Sequence, residues 1–295
     1  FNQENILSAV STAHAILYNG GIPVFADIDP VTLNIDSSSV AEKITNKTKV
    51  ILPVHFGGLS SNLNSIQKLC RGNDLFLIED AAHSLGSYYG KKHQGNLSDI
   101  GVFSFSTPKI ITTGQGGMII TNDRNLYERC MELKDFGRKI GAKKKMISAF
   151  EHETIGFNFK FTEFQAAVGI SQMKKLRKRI EIKKKMFRVY RELLKDVQNI
   201  EFIGTDLNKV TPWMVDILLK NKKERLQLIN FLDKKGIETR IFYPPIHRLG
   251  PYVRSDVKFP ITSNISDRGL WLPSSISLSD SQLNHICSGI KKFFS

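Results

Sequence analysis

The stretch from Ser104 to Gly117 holds a lysine between an apolar run and a glycine-rich turn. Lys109 lies five residues after Ser104, and Gly114-Gln115-Gly116-Gly117 follows it. A lysine whose stem is packed and whose amine lies in a pocket can lose its proton, and a neutral amine forms a Schiff base with an aldehyde or ketone. The chain has 42 lysine and arginine residues. Because most of them are expected to be solvated surface charges, the neighbours of Lys109 must decide whether it is reactive.

An aspartate and a histidine precede this lysine. Asp80 closes the apolar run from Leu75 to Ile78, and His83 follows three residues later. Ligands of an open parallel sheet bind beyond the carboxyl ends of its strands, which is where this pattern places Asp80. Two other interpretations stay open: Asp80 as the N-cap of a helix that starts at Ala81, and His83 as a packed or capping histidine.

The elements that must position these residues alternate between helix and strand over residues 1–121. A first helix is predicted from Asn2 or Gln3 to the stop at Asn19-Gly20-Gly21, with an apolar face made of Ile6, Val10, Ala13 and Leu17. Further helices are predicted at 37–44 and 63–70, and strands at 22–26, 50–56, 75–78, 100–105 and 118–121. This alternation indicates crossover connections and a mainly parallel sheet covered on both faces.

The pattern changes in the second half of the chain. A helix at 126–136 and a polar, glycine-containing loop at 137–156 lead to one long helix, 162–194, broken once. Strands are then predicted at 200–203, 213–219 and 239–242, and helices at 225–234 and 281–294. This part is an α+β arrangement. We therefore predict a large domain at residues 1–175 and a small C-terminal domain at 176–295.

Composition excludes several classes of protein. With 295 residues, 41% hydrophobic and 24% charged, the chain has the composition of a globular protein. No stretch approaches the roughly 20 apolar residues that a membrane span needs, and no signal peptide is visible. The three cysteines form no CxxC pair, so neither a disulfide framework nor a metal site is predicted. A cytoplasmic location fits best.

A formal net charge of +14 raises the question of nucleic-acid binding. The basic residues cluster at 143–145, 174–179 and 183–185. The last two clusters alternate with apolar residues at helical spacing, which predicts that the lysines form the solvated face of an amphipathic helix. No nucleic-acid-binding motif accompanies them, so no nucleic-acid partner is predicted. A positive field also attracts a small anionic substrate such as a nucleotide diphosphate.

Taken in order, Glu79-Asp80-Ala81-Ala82-His83, Ser104, Lys109 and the glycine turn resemble one enzyme family. These residues closely resemble the DegT/DnrJ/StrS-type sugar aminotransferases, a branch of the fold-type I, aspartate aminotransferase-like enzymes that use pyridoxal 5'-phosphate. Further matches run along the chain: residues 15–18, 23–29, 52–55, 156–158, 165–169, 236–240 and 243–247. The resemblance implies an α/β fold with a mainly parallel sheet in the large domain and a smaller α+β domain.

The resemblance also implies roles for the cofactor-binding residues. Lys109 would form the Schiff base with pyridoxal phosphate and then carry a proton as a free amine, a type of step that contributes on the order of 10² to 10⁴ in rate. Asp80 would keep the pyridine nitrogen protonated, His83 would lie against the ring, and Ser104 would donate to the phosphate. Asn158 would reach the phosphate of the neighbouring subunit's cofactor, so a homodimer with shared active sites is expected.

The substrates follow from the same resemblance. Lys160, Tyr243 and His247 are the expected substrate-binding residues, and Lys160 stands where the family usually has arginine. L-Glutamate is the expected amino donor. The segments 212–216, 243–247 and 270–274 look most like perosamine-synthase-type members, which implies a nucleotide-linked 4-keto-6-deoxy sugar as acceptor. A 3-keto acceptor is the nearest alternative.

Two further features bear on activity. Related dehydratases have histidine in place of Lys109, so the lysine favours amino transfer. The family also carries a phosphate-cupping turn before the point where this sequence begins, so we expect the large domain to lack its N-terminal part here. A catalytically impaired binding or regulatory protein with this fold is therefore the alternative from another functional class.

Overall fold

The structure is a computed structural model that describes residues 2–5, 7–141, 152–253 and 258–295, with the backbone alone for residues 2–5. The basic cluster 143–145 and much of the loop predicted at 137–156 lie outside the described residues. The strands are β1 Asn2–Asn5, β2 Pro23–Ala26, β3 Val50–Leu52, β4 Phe76–Asp80, β5 Tyr88–Tyr89, β6 Lys92–His93, β7 Ile100–Ser104, β8 Gly117–Ile120, β9 Glu201–Phe202, β10 Val215–Leu218, β11 Arg240–Ile241 and β12 Gly269–Leu272. The helices are α1 Ser11–Tyr18, α2 Ser37–Ala41, α3 Leu63–Asn73, α4 Arg124–Lys134, α5 Glu163–Met173, α6 Leu176–Leu193, α7 Lys222–Asp233, α8 Pro260–Arg268 and α9 Asp280–Phe294.

A large sheet of six strands has the order β2-β1-β3-β4-β7-β8. Its pairs are parallel except for the last, since β8 runs antiparallel to β7. The predicted mainly parallel sheet is therefore confirmed. Strands β4 and β7 are neighbours, and Asp80 is in register with Val102. Because parallel strands end at the same edge, Asp80 and Ser104 lie at one edge of the sheet.

The prediction of a helix from Asn2 or Gln3 is wrong. Residues 2–5 form β1, which lies between β2 and β3 and pairs with both, and α1 starts only at Ser11. The sequence Asn-Gln-Glu-Asn carries no strand pattern. Two neighbouring strands supply ladder hydrogen bonds on both sides, so tertiary pairing outweighs local preference at this segment.

A small antiparallel sheet has the order β11-β12-β10-β9. Helices α6, α7 and α9 cover it and share an apolar core that includes Phe187, Leu228 and Ile290. Another core joins this region to the large sheet, with Phe25 and Phe56 packed in one cluster with Trp213 and Trp271. The two sheets therefore meet through aromatic side chains, close to the edge where Asp80 lies.

Helix α8 and strand β12 were not predicted. The N-terminus of α8 is capped from a distance, because the Asp27 carboxylate accepts hydrogen bonds from the backbone of Ile261 (3.1 Å) and Thr262 (2.9 Å). A side-chain cap of this type stabilises a helix by about 1 kcal/mol. A partner 234 residues away in sequence gives no local signal.

The long predicted helix is broken once, as expected, between α5 and α6. The expectation that the basic residues of α6 form a solvated face needs correction, because the Lys183 side chain is buried. Its amine donates to the carbonyl oxygens of Trp213 (2.7 Å) and Ser274 (2.5 Å). No helix among the described residues has the length and apolar character that crossing a membrane requires.

Candidate active site

Lys109 lies in the loop that joins β7 to β8. The loop folds back on itself, with Phe105 N donating to Gly116 O (2.8 Å) and Thr113 N to Phe105 O (2.9 Å). Gly116 has a φ of 152°, and a Cβ there would come within 2.6 Å of the Phe161 ring. Glycine is therefore required at this position, both for its backbone conformation and for space.

The backbone is held on both sides of Lys109. The Pro108 carbonyl accepts a hydrogen bond from Trp213 Nε1 at 2.9 Å, and the Ile110 carbonyl accepts one from Arg179 Nη1 at 2.9 Å. Arg179 belongs to the cluster that the sequence pattern placed in solvent. These two hydrogen bonds fix the backbone at Lys109, unlike the backbone of a residue on a free surface loop.

Burial lowers the pKa of Lys109 to about 8, while the Asp80 carboxylate opposes this shift and the Arg240 charge adds to it. The amine has no hydrogen-bond partner among the described residues, and it lies 4.3 Å from the centroid of the Trp213 ring. The ring face attracts the charged form, but desolvation is the larger effect. About half of the Lys109 amines are therefore neutral near pH 8.

Asp80 is fixed at the end of β4. Its carboxylate accepts from Thr12 Oγ1 at 2.9 Å and from the backbone of Ala82 at 3.0 Å. Residues 82–83 form a turn, so Asp80 is not the N-cap of a helix. Thr12 lies in α1, and sequence reasoning missed it because nothing in the sequence indicates a contact across 68 positions.

His83 is buried, with 4% of its surface exposed. Its ring stacks on Trp213 with the centroids 3.8 Å apart and the planes at 17°. Burial, and next the charge of Lys109, hold the pKa of His83 well below its ordinary value, so the ring is neutral. Its Nδ1 has no hydrogen-bond partner within the described chain. His83 is therefore a packed histidine, and its role at the cofactor stays a prediction.

Ser104 ends β7, and its hydroxyl donates to Ser106 Oγ at 3.2 Å. The Tyr243 ring lies beside His83, with the ring centroids 6.3 Å apart. Burial raises the pKa of Tyr243, the Arg240 charge lowers it and the Asp80 charge raises it. Arg240 lies in the matching range 236–240, for which the sequence predicted no site role, and its charge lowers the pKa of both Lys109 and Tyr243.

Three of the predicted residues lie elsewhere in this chain. Asn158 and Lys160 are exposed and bond to each other, and the Lys160 amine lies 3.4 Å from Asp135. His247 is fully buried, 4.9 Å from the Phe259 ring, with its Nε2 3.3 Å from Ser263 Oγ. No described contact joins any of the three to Lys109, so their roles stay predictions.

Comparison with known proteins identifies the family of the chain. A model of the DegT/DnrJ/EryC1/StrS aminotransferase family matches residues 6–291. The chain belongs to this family. It is 37% identical over 289 residues to a GDP-perosamine synthase of Escherichia coli O157:H7, covering 98% of this chain and 78% of that protein. A GDP-perosamine synthase of Vibrio cholerae is 32% identical, with 97% and 77% covered.

A solved structure supports the fold. Helicobacter pylori PseC, an aminotransferase involved in the biosynthesis of pseudoaminic acid, superimposes with a TM-score of 0.89 at 29% identity, covering 99% of this chain and 79% of that one. The predicted fold class is confirmed. Aminotransferases of this family depend on pyridoxal phosphate, which confirms the predicted cofactor. Within the described ranges, no cluster of three or more histidine, cysteine or acidic residues could hold a metal ion.

The residues present fit this cofactor. The Lys109 amine is partly neutral and has no hydrogen-bond partner among the described residues, and the Asp80 carboxylate raises its pKa. The buried Nδ1 of His83 likewise lacks a hydrogen-bond partner in the part of the chain that the structure describes. An aldehyde, a ring nitrogen and a phenolic oxygen of one flat molecule are groups that an amine, a carboxylate and an imidazole can hold. Lys109, Asp80 and His83 would therefore hold pyridoxal phosphate, with Ser104 at the phosphate.

Proposed function

We propose that this enzyme transfers an amino group to a keto sugar linked to a nucleotide, with a 4-keto-6-deoxy hexose as the acceptor. The observation that carries the proposal is the cluster of Lys109, Asp80 and His83 at the edge of the large sheet, with Lys109 near half neutral at pH 8. Its relatives named GDP-perosamine synthase support a sugar with this chemistry. A 3-keto acceptor stays the nearest alternative.

When bound, pyridoxal phosphate supplies an aldehyde and an electron-accepting ring. Lys109 would hold the aldehyde group through its neutral amine, and as a free amine it would take up and return a proton at Nζ. Its pKa of about 8 suits both tasks, because a proton carrier is most effective when its pKa is near the working pH. Asp80, held by Thr12 and Ala82, would favour the protonated ring nitrogen.

The amino donor, L-glutamate, requires a site for carboxylate. Arg240 fits this role, because its guanidinium has no hydrogen bond or ion pair among the described residues. It lies 5.7 Å from the Tyr243 ring centroid and 5.6 Å from that of Trp271. Two flanking rings orient the planar group while leaving its N–H donors available for a bidentate carboxylate. The α-carboxylate of the donor is two bonds from the donor's amine, so its binding group must lie near Lys109. Arg240 is close enough for its charge to lower the pKa of Lys109.

The surface around α5 supports the proposal of a homodimer. This helix has no buried residue, and the chain around it exposes large apolar side chains: Ile155, Phe157, Phe159, Phe161, Phe164, Ile170 and Met173. Exposed apolar surface of this extent marks an interface with another protein. The surface adjoins the lysine loop, since Gln165 Nε2 donates to Gln115 O at 2.9 Å. A second copy docked here would lie beside Lys109, and Asn158 lies in the same segment.

The test is amino transfer with defined sugars. The protein is incubated with L-glutamate and with GDP- or UDP-linked 6-deoxy sugars that carry the keto group at C4 or at C3, and the products are identified by mass spectrometry and NMR. We expect amination at C4, and no product with Lys109→Ala. Amination only at C3 would replace the acceptor. Bound cofactor with no amino product from any sugar would favour the binding or regulatory alternative.

The donor site has its own test. Substituting Arg240→Gln should raise the KM for L-glutamate by about 10-fold or more, because a hydrogen bond to a charged group contributes about 1.5–3 kcal/mol. The KM for the sugar serves as the internal control and should change little. An equal rise in both values would show that Arg240 does not select the donor.

A further inference from the structure

Trp213, from the segment that precedes β10, contacts both the Lys109 amine and the residue before Lys109. Its Nε1 donates to the carbonyl of Pro108, the residue directly before Lys109, at 2.9 Å. The Lys109 amine lies 4.3 Å from the centroid of the same indole ring. The Trp213 side chain therefore contacts both the peptide group that precedes Lys109 and the amine of the Lys109 side chain.

The indole is itself held rigidly. It is 1% exposed, its ring stacks on His83, and it meets Trp271 edge to face with 5.5 Å between centroids. The Trp213 carbonyl accepts a hydrogen bond from the buried Lys183 amine at 2.7 Å. The backbone N–H of Trp213 donates to Gly57 O at 3.3 Å. Each polar group of Trp213 thus has a partner, and the three partners, Gly57, Pro108 and Lys183, lie in different parts of the chain.

We propose that Trp213 is a positioning residue, which fixes the Lys109 loop through Pro108 and keeps water away from the Lys109 amine. The inference rests on Lys109 being the reacting amine of the proposed function. It explains why an amine so close to the sheet edge is desolvated, since the indole covers it with a flat apolar face. Because Trp213 comes from the segment that precedes β10, its contacts also connect the small sheet to Lys109.

Two effects of the indole oppose each other, and this makes the proposal testable. The ring face attracts an ammonium and so favours the charged form, whereas exclusion of water favours the neutral form. Burial is the largest cause of the lowered pKa of Lys109. Removing the indole should therefore let water reach the amine and raise the pKa.

The measurement is the pH dependence of Lys109 acetylation in the full-length protein. Loading the protein with pyridoxamine phosphate leaves the lysine amine free, and dilute acetic anhydride modifies only neutral amines. The fraction of acetylated Lys109 is read by mass spectrometry of its peptide. The midpoint of the pH profile reports the pKa of Lys109, and it does not depend on which donor or sugar the enzyme accepts.

With Trp213→Leu we expect the midpoint to rise from about 8 by at least one unit towards the ordinary lysine value of about 10.4, which lowers the neutral fraction at pH 8 about fivefold. The matched control is Phe187→Leu. It removes another fully buried aromatic ring, which α6 contributes to the core of the small sheet. The control should lose stability and keep the midpoint. An unchanged or lowered midpoint in Trp213→Leu, or an equal rise in the control, overturns the proposal.

The second variant, Trp213→Phe, keeps a flat apolar ring and loses the N–H donor. We expect its midpoint to stay near that of the wild type, while amide hydrogen exchange in residues 106–113 becomes at least several-fold faster, because the Pro108 carbonyl loses its partner. This variant keeps the test decisive if Trp213→Leu does not fold. Exchange at the wild-type rate in that segment would overturn the role of Trp213 in holding the loop.

Discussion

Lys109 and Lys183 have nearly the same pKa, lowered to about 8 by burial in both cases, but the two amines differ in what they contact. The Lys183 amine donates to the carbonyls of Trp213 and Ser274. The Lys109 amine has no hydrogen-bond partner among the described residues. A lowered pKa therefore does not identify a reactive lysine, and the bonding of the amine does. Lys183 links two buried segments of the chain, whereas the Lys109 amine is available to react.

The neighbouring carboxylates differ in the same way. Asp216, near Lys183, is buried, and its pKa is raised to about 7 by desolvation, although the hydrogen bond from Trp271 opposes this shift. Asp80, near Lys109, is only partly buried and accepts from Thr12 and Ala82. The first carboxyl serves packing, and the second is fixed at a sheet edge where a ligand can reach it.

The largest expected effect separates the two lysines. Substituting Lys109→Ala should abolish covalent fixation of cofactor by borohydride and lower turnover by about 10³-fold or more, because both the attachment point and the proton carrier are lost. Absorbance and mass spectrometry of the reduced protein measure the fixation. If Lys109→Ala still fixes cofactor at full yield, the assignment of the reactive lysine is wrong.

The matched variant is Lys183→Met, which should still fix cofactor. We expect it to lower the free energy of unfolding by about 2–3 kcal/mol, because two buried carbonyls lose their donor. Urea unfolding measures the change. Loss of fixation in a folded Lys183→Met protein would remove the distinction between the two lysines.

Asp80→Asn should preserve the fold and lower turnover by about 10²-fold or more, since an amide cannot stabilise a protonated ring nitrogen as a carboxylate does. Steady-state kinetics measure the loss, and circular dichroism checks the fold. The comparison variant, Asp216→Asn, should change turnover far less, because burial already makes that carboxyl about half neutral at pH 7. Unchanged turnover in Asp80→Asn would count against the role of the carboxylate.

The pH dependence sharpens the comparison further. A lysine with a lowered pKa is neutral at lower pH than an ordinary lysine, so the rate of cofactor capture by stripped protein should rise about tenfold per unit below pH 8 and level off above it. An ordinary lysine would level off near pH 10.4. Stopped-flow absorbance measures the capture rate. A plateau only above pH 10 would show that Lys109 is not desolvated.

Thr12→Val carries the smallest expected effect. It removes one of the two hydrogen bonds to the Asp80 carboxylate, which should lower kcat about fivefold, the equivalent of about 1 kcal/mol. Thr12→Ser retains the hydroxyl and should restore most of the rate. If Thr12→Val and Thr12→Ser have the same kcat, the bond to Asp80 does not contribute.

The positions of the candidate site residues relative to the strands could be predicted from the sequence. Asp80 and Ser104 are the last residues of strands whose apolar runs are readable, and His83 and Lys109 come soon after those strands. Ligands of an open parallel sheet bind beyond the carboxyl ends of its strands. Gly116 was also readable as a turn residue, although its need for space beside Phe161 was not. Pattern and spacing made Asp80 and Lys109 candidates, whereas the expected roles of His83 and Ser104 came only from the resemblance to the family.

Tertiary structure alone decided which distant groups act on those residues. Thr12 reaches Asp80 across 68 positions, and Trp213 reaches Pro108 across 105, and neither contact has a sequence period that predicts it. Strand β1 forms because two neighbours pair with it, and Lys183 is buried because two carbonyls accept its amine. Desolvation and hydrogen bonding depend on every surrounding element at once, and only the folded chain brings those elements together.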